Sequence, residues 1–122
     1  MKGATAIAAV SVLFALPVTG GEPLRMTTSP SQSFAPAHLT IQVRIAPFAE
    51  NGALEVLAQS EDFYRSSEIQ LEGDRAPATI QFQFRAMPAG DYDVVGILKD
   101  RSGHKRSIVH SQVHVIATGS GG

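Results

Sequence analysis

Apolar and polar residues alternate with a period of two over most of the chain's second two thirds, and this alternation predicts strands. Leu39, Ile41, Val43 and Ile45 alternate with Thr40, Gln42, Arg44 and Ala46. Ile80, Phe82 and Phe84 alternate with Gln81, Gln83 and Arg85 in the clearest run. Tyr92, Val94, Gly96 and Leu98 share one face of a further strand, while Val95 and Ile97 make its other face apolar too. Such a strand is expected to be central and covered on both sides. In the last run, 105–116, Val109, Ser111, Val113 and Val115 oppose His110, Gln112 and His114. Residues 53–60 read as a strand with Leu54, Val56 and Ala58 inward, although Leu54, Leu57 and Ala58 also fit a helical face. A short strand over 67–72 places Ile69 and Leu71 on one side.

Turn chemistry separates these runs. Pro47 ends the first, or marks it as a sheet edge, and Asn51-Gly52 is the strongest short-range hairpin signal in the chain. Pro88-Ala89-Gly90-Asp91 and Asp100-Arg101-Ser102-Gly103 supply two more turns. The expectation is an all-β fold: a two-layer antiparallel β-sandwich of six or seven strands over 38–117, with no internal repeat.

The ends differ from this pattern. Met1-Lys2, the uncharged apolar run Ala4 to Leu16, Pro17 and the small residues Thr19-Gly20-Gly21 form the signature of an export signal. The run is short for a bilayer span. Cleavage after Gly20 or Gly21 is therefore expected. Residues 22–37, with Pro23, Pro30 and Pro36 among Ser and Thr, read as a linker with at most a short edge strand near Leu24 to Met26. Residues 118–122 read as a flexible tail.

Composition narrows the function. Of 122 residues none is cysteine or tryptophan, so the domain holds by packing, and no lipidated cysteine can tether it. Without Lys2, the ten basic residues become nine against eleven acidic ones, 9 − 11 = −2, which is no signature of a nucleic-acid or anionic-membrane binder. No second long apolar stretch follows the signal. A periplasmic or extracellular place in a bacterial envelope is the expected address, with no stable membrane insertion after cleavage.

Ala89-Gly90-Asp91-Tyr92-Asp93-Val94 resembles the corner that opens the penultimate strand of immunoglobulin-like and fibronectin type III-like domains. Lys99-Asp100 with Gly103 is similar to a hairpin of bacterial immunoglobulin-like modules. The resemblance implies that the Tyr92 hydroxyl ties back to the backbone across the turn. Val94 stands where antibody domains keep a cysteine, and the core tryptophan of those domains is missing. A prealbumin-like sandwich, as in carboxypeptidase regulatory domains, uses a similar Pro-x-Gly-x-Tyr-x-Val phrase and stays open beside it. Both imply binding, spacing or stabilising roles more often than catalysis.

Candidate chemistry is sparse. His110 and His114 share a strand face but lie roughly 13 Å apart, too far for one metal ion. A site would need one of them to meet His38 or His104 from a neighbouring strand. Ser66, Ser67, Ser107 and Ser111 lack any nucleophile-elbow context. The carboxylate pairs Glu61-Asp62 and Asp91/Asp93 read as turn caps or solvated loop ends. No catalytic residue, metal ligand or cofactor is assigned. The exception is the loop Phe63-Tyr64-Arg65, two aromatics and an arginine among Glu61, Asp62 and Glu68, the residue types enriched at binding hot spots. The competing role is structural, with Phe63 folded inward and Arg65 paired to Glu61 or Glu68. The expected function is an exported, non-catalytic binding or structural module that meets an envelope protein or glycan. The alternative is a periplasmic small-ligand or metal carrier using strand histidines.

Overall fold

A computed structural model describes residues 22–118. The expected signal, 1–21, and residues 119–122 of the tail lie outside the described residues. The fold is all-β, two sheets packed face to face. The strands are β1 (Leu24–Ser29), β2 (Gln32–Phe34), β3 (Ala37–Ile45), β4 (Asn51–Gln59), β5 (Tyr64–Gln70), β6 (Thr79–Met87), β7 (Gly90–Asp100) and β8 (Lys105–Ile116). A 3-10 turn at Gly73–Arg75 precedes β6. One sheet has the order β1-β3-β6; the other has the order β2-β8-β7-β4-β5.

The alternating positions meet between the sheets. Leu39, Ile41 and Val43 of β3 and Phe82 and Phe84 of β6 pack against Leu54, Val56 and Ala58 of β4 and Tyr92, Val94 and Leu98 of β7. Residues 51–59 are a strand rather than a helix, because every second side chain here must reach this core. β7 is the central strand of its sheet, as its two apolar faces suggest. Its outer residues are shielded from within the sheet. The register sets Val95 between Leu57 and His110, and Ile97 between Glu55 and Ile108, leaving each 7 % exposed.

Five expectations change. Residues 22–37 hold two strands rather than a linker. Leu24 and Met26 alternate with Arg25 and Thr27, and six residues pair antiparallel with β3, burying Leu24 to 1 % exposure. The prolines interrupt pairing only between the strands, so a short period-two signal was hidden inside a Pro/Ser/Thr-rich composition. In consequence β3, expected at an edge near Pro47, is the middle strand of its sheet. The described strands number eight rather than six or seven. The sandwich is also not wholly antiparallel, since β2 runs parallel to β8.

The fifth change concerns Asn51-Gly52. It forms no hairpin, because β3 and β4 belong to different sheets. Asn51 is buried instead. Its amide Nδ2 donates to the Ala46 carbonyl at 3.1 Å, and its Oδ1 accepts from Arg106 at 2.8 Å. The pair thus uses its side-chain amide where a turn would use its backbone. Gly52 is the extra residue of a bulge against β7, and a Cβ there would lie 2.6 Å from the Asp100 carbonyl oxygen.

The corner implied by the resemblance is present. Tyr92 is fully buried, and its hydroxyl donates to the Pro88 carbonyl at 2.7 Å. Burial pushes its phenol pKa above the ordinary 10.0, with Ser60 and Arg65 opposing. The raised value favours the neutral ring in the folded chain. The stability it lends is present below pH 10 and is lost as the unfolded chain's phenol ionises first.

Two outcomes follow from this packing. Leu24→Ala should cost about 2–4 kcal/mol in urea unfolding; a change within experimental error would return residues 22–29 to the status of a linker. Tyr92→Phe should cost about 1–2 kcal/mol at neutral pH, and the gap between it and the natural chain should narrow as pH rises beyond 10, because only the natural chain carries the phenol. A gap that stays constant through that range would contradict the buried, neutral hydroxyl.

Candidate functional site

Phe63, Tyr64 and Arg65 sit where the chain leaves the loop after β4 and enters β5, the outer strand of the five-stranded sheet. Tyr64 and Arg65 therefore lie on a strand rather than in a loop, and alternation sends neighbouring side chains to opposite faces. Ser60 N–H donates to the Phe63 carbonyl at 2.8 Å and closes the loop. The Phe63 ring packs on the core and meets Tyr92 edge-on, with centroids 6.2 Å apart. The Arg65 guanidinium lies 5.2 Å from the Phe63 ring centroid and 6.0 Å from that of Phe84. Its Nη1 donates to the Arg85 carbonyl at 2.6 Å.

Arg65 thus ties β5 of one sheet to β6 of the other across the open side of the sandwich. It pairs with neither Glu61 nor Glu68, because Glu68 turns to Lys99. Tyr64 points the other way and is 57 % exposed. The trio is divided: Phe63 and Arg65 are engaged within the fold, and Tyr64 is presented to solvent on an unpaired edge.

The outer face of the five-stranded sheet carries a set of paired charges. Lys99 Nζ lies 3.2 Å from Glu55 and 3.6 Å from Glu68. The hydrogen bond to Glu55 holds the ammonium above its ordinary range, against partial desolvation. His114 Nδ1 lies 2.8 Å from Asp91, and His110 Nδ1 lies 3.3 Å from both Asp93 oxygens. A carboxylate can only accept, so each Nδ1 carries the proton and Nε2 faces outward. Gln112 also donates to Asp93, at 3.1 Å.

These Asp–His couples were not foreseen from sequence. Their signal was present in the hairpin at Asp100–Gly103, which folds β8 back on β7 and opposes Asp91 to His114. A one-residue shift at Leu98/Lys99 defeats a simple count back from that turn. Asp100 closes the hairpin by accepting from the Ser102 and His104 amides, each at 2.9 Å.

The four histidines do not converge. His38 is on the other sheet, His104 is beside Asp100, and His110 and His114 face separate aspartates. Among the described residues no three His, Cys, Asp or Glu side chains are grouped to hold a metal ion. Of the serines considered, Ser111 shares a hydrogen bond of 3.0 Å with Thr28 of β1, which closes the sandwich on the side opposite Arg65. A hollow of about 810 Å³ beside Lys99, Glu68 and Arg101 is wide, open and lined by charges of both signs.

Comparison with known proteins bears on the fold alone. No family model matches the chain, and no curated protein sequence matches it. Solved structures do match. A superoxide reductase (neelaredoxin) from Ignicoccus hospitalis superposes with a TM-score of 0.60 at 12 % identity, over 77 % of this chain and 80 % of that one. A family 76 glycoside hydrolase from a bovine Bacteroides thetaiotaomicron strain gives 0.56 at 11 % identity, over 79 % of this chain but only 21 % of that one. A fibronectin(III)-like module of Clostridium thermocellum CbhA gives 0.54 at 13 % identity, over 77 % of this chain and 97 % of that one.

The division within the trio is directly measurable. Arg65→Ala should lower unfolding stability by about 1–2 kcal/mol, through the lost carbonyl bond and ring contacts. Tyr64→Ala should stay within about 0.5 kcal/mol of the natural chain. Equal losses at both positions would mean that Tyr64 is a structural residue.

Proposed function

We propose that the chain is an exported, non-catalytic binding or structural module of the bacterial cell envelope, of immunoglobulin-like or fibronectin III-like kind. It engages an envelope protein or glycan through Tyr64 on the β5 edge, with Phe63 and Arg65 as the fixed base. The observation that carries this reading is the exposure of Tyr64 on an unpaired edge strand whose neighbours are locked by the core. A pre-ordered aromatic with few rotamers loses little entropy on binding, and an open strand edge offers backbone groups to a partner.

Likeness to a fibronectin(III)-like module along nearly the whole of that module supports a self-contained unit of this type. The Tyr92 corner supports a sandwich of the immunoglobulin-like kind. The apolar run before residue 22 supports export.

Expression of the full chain with a C-terminal epitope in a bacterial host should release a periplasmic protein whose N-terminus lies near Glu22. Retention in the cytoplasm with Met1 in place would remove export. Capture from native envelope extracts should recover a specific protein or glycan with the natural chain and lose it with Tyr64→Ala. Identical capture by the two would remove Tyr64 from the site.

A further inference from the structure

The three-stranded sheet turns one face outward, opposite the core. Every outward position of β1, β3 and β6 up to the β6 bulge is Arg, Gln, Thr, Ser or His. None of the chain's eleven acidic residues falls on these strands. The register places Arg25 of β1 directly opposite Arg44 of β3. Like charges so opposed cost stability unless an anion lies between them. Yet among the described residues no carboxylate lies within ion-pair distance of Arg25, Arg44 or Arg85. A hollow of about 250 Å³ opens over Arg25 and Arg44, with Gln42 beside them. Glu22 shares a second hollow with Arg25 and Arg44 but closes no ion pair with either.

The far end of the face is also cationic and is shaped by backbone. Arg85 and Ala86 together oppose His38 in a bulge, and Ala86 takes a φ of +56°. Such a left-handed alanine is an uncommon conformation, and bulges re-aim the side chains beside them. Ala86 N–H donates to His38 Nδ1 at 3.4 Å, which leaves the proton of the neutral ring on Nε2 as an outward donor. Three two-residue steps along β3 separate His38 from Arg44, roughly 20 Å. Gln42 and Gln81, paired by register and joined at 3.4 Å, lie between the cationic ends.

We infer that this face binds an extended acidic polysaccharide. The arginines would take uronate carboxylates, and the amides and hydroxyls between them would take sugar hydroxyls. Arginine's planar fork suits a carboxylate. The face bears no aromatic on which bases could stack, as single-stranded nucleic acids require, and no apolar side chain to enter a lipid surface. Among the described residues, a second copy of the chain has its unpaired acids only outside the strands, at Glu22, Glu50, Glu61, Asp62 and Asp74. Its outer acids Glu55, Glu68, Asp91 and Asp93 already face Lys99, His114 and His110. The site is on the opposite sheet from Tyr64, so it stands or falls independently of the proposed edge interaction.

The test is affinity electrophoresis of the protein recovered after expression of the full chain, in gels containing polygalacturonate, uncharged dextran or single-stranded DNA, at low and at physiological salt. Polygalacturonate should retard it; dextran and DNA should not. Arg25→Gln with Arg44→Gln should weaken binding about tenfold or more. Arg75→Gln with Lys105→Gln, which removes equal charge elsewhere, should bind as the natural chain does. Arg44→Lys, which keeps charge but loses the fork, should weaken binding several-fold and decides the matter should the double variant fail to fold. Equal retardation by DNA, no retardation by polygalacturonate, or equal losses from the two double variants would overturn the inference. So would self-association in sedimentation that Arg25→Gln/Arg44→Gln abolishes, since the occupant would then be a second copy.

Discussion

The two sheets share no hydrogen-bonded ladder, so the sandwich depends on burial of the apolar surface between them. With no disulfide to bridge the layers, every inward position must be filled by side chains that meet across the gap. The period-two pattern exists to satisfy this constraint. It also explains why β1 belongs to the fold, since Leu24 and Met26 extend the core along β3 and cover Gly96 of the opposite sheet. Polar ties then fasten the margins. Thr28 reaches Ser111 on one side, Arg65 reaches the Arg85 carbonyl on the other, and Asn51 and Tyr92 anchor two of the crossings between sheets.

Placement of these ties explains what sequence could and could not tell. Strands β3, β6, β7 and β8 were legible because each has three or more apolar residues at alternating positions. Tyr92 was legible because its corner depends on local spacing. Asn51-Gly52 was misleading for the opposite reason. The dipeptide permits a tight turn, but whether the chain turns within one sheet or crosses to the other depends on partners far away, here Arg106 and Asp100. β1 was anticipated only as a short edge strand near Leu24 to Met26, and β2 was missed, because composition dominated a short pattern. For the candidate site, the residue types at 63–65 signalled a role. Only the strand assignment could divide that role, because a one-residue step along β5 sends Tyr64 outward and Arg65 toward the ring of Phe84.

The two outer faces obey different electrostatics, although they bracket the same core. On the five-stranded sheet each acid has a basic or imidazole neighbour, so charge is settled within the chain. On the three-stranded sheet the arginines have no such neighbour and two of them oppose each other. A near-neutral whole conceals this division, since the formal net charge is only −1. Composition therefore argued against a nucleic acid or an anionic membrane as partner, and it did so by averaging two surfaces that a partner would meet separately.

A small sandwich has few places to put function once its core is satisfied. The hollow beside Lys99, Glu68 and Arg101 is open rather than enclosed. What remains are edges and flat faces, and these favour different partners. An edge offers a directional row of backbone groups and suits a strand or a loop. A flat, regularly spaced field of amides and arginines suits an extended polymer that makes many weak contacts. Tyr64 on β5 and the Arg25–Arg44 pair lie on different sheets, so one domain of this size can hold both kinds of contact without either disturbing the core that supports them.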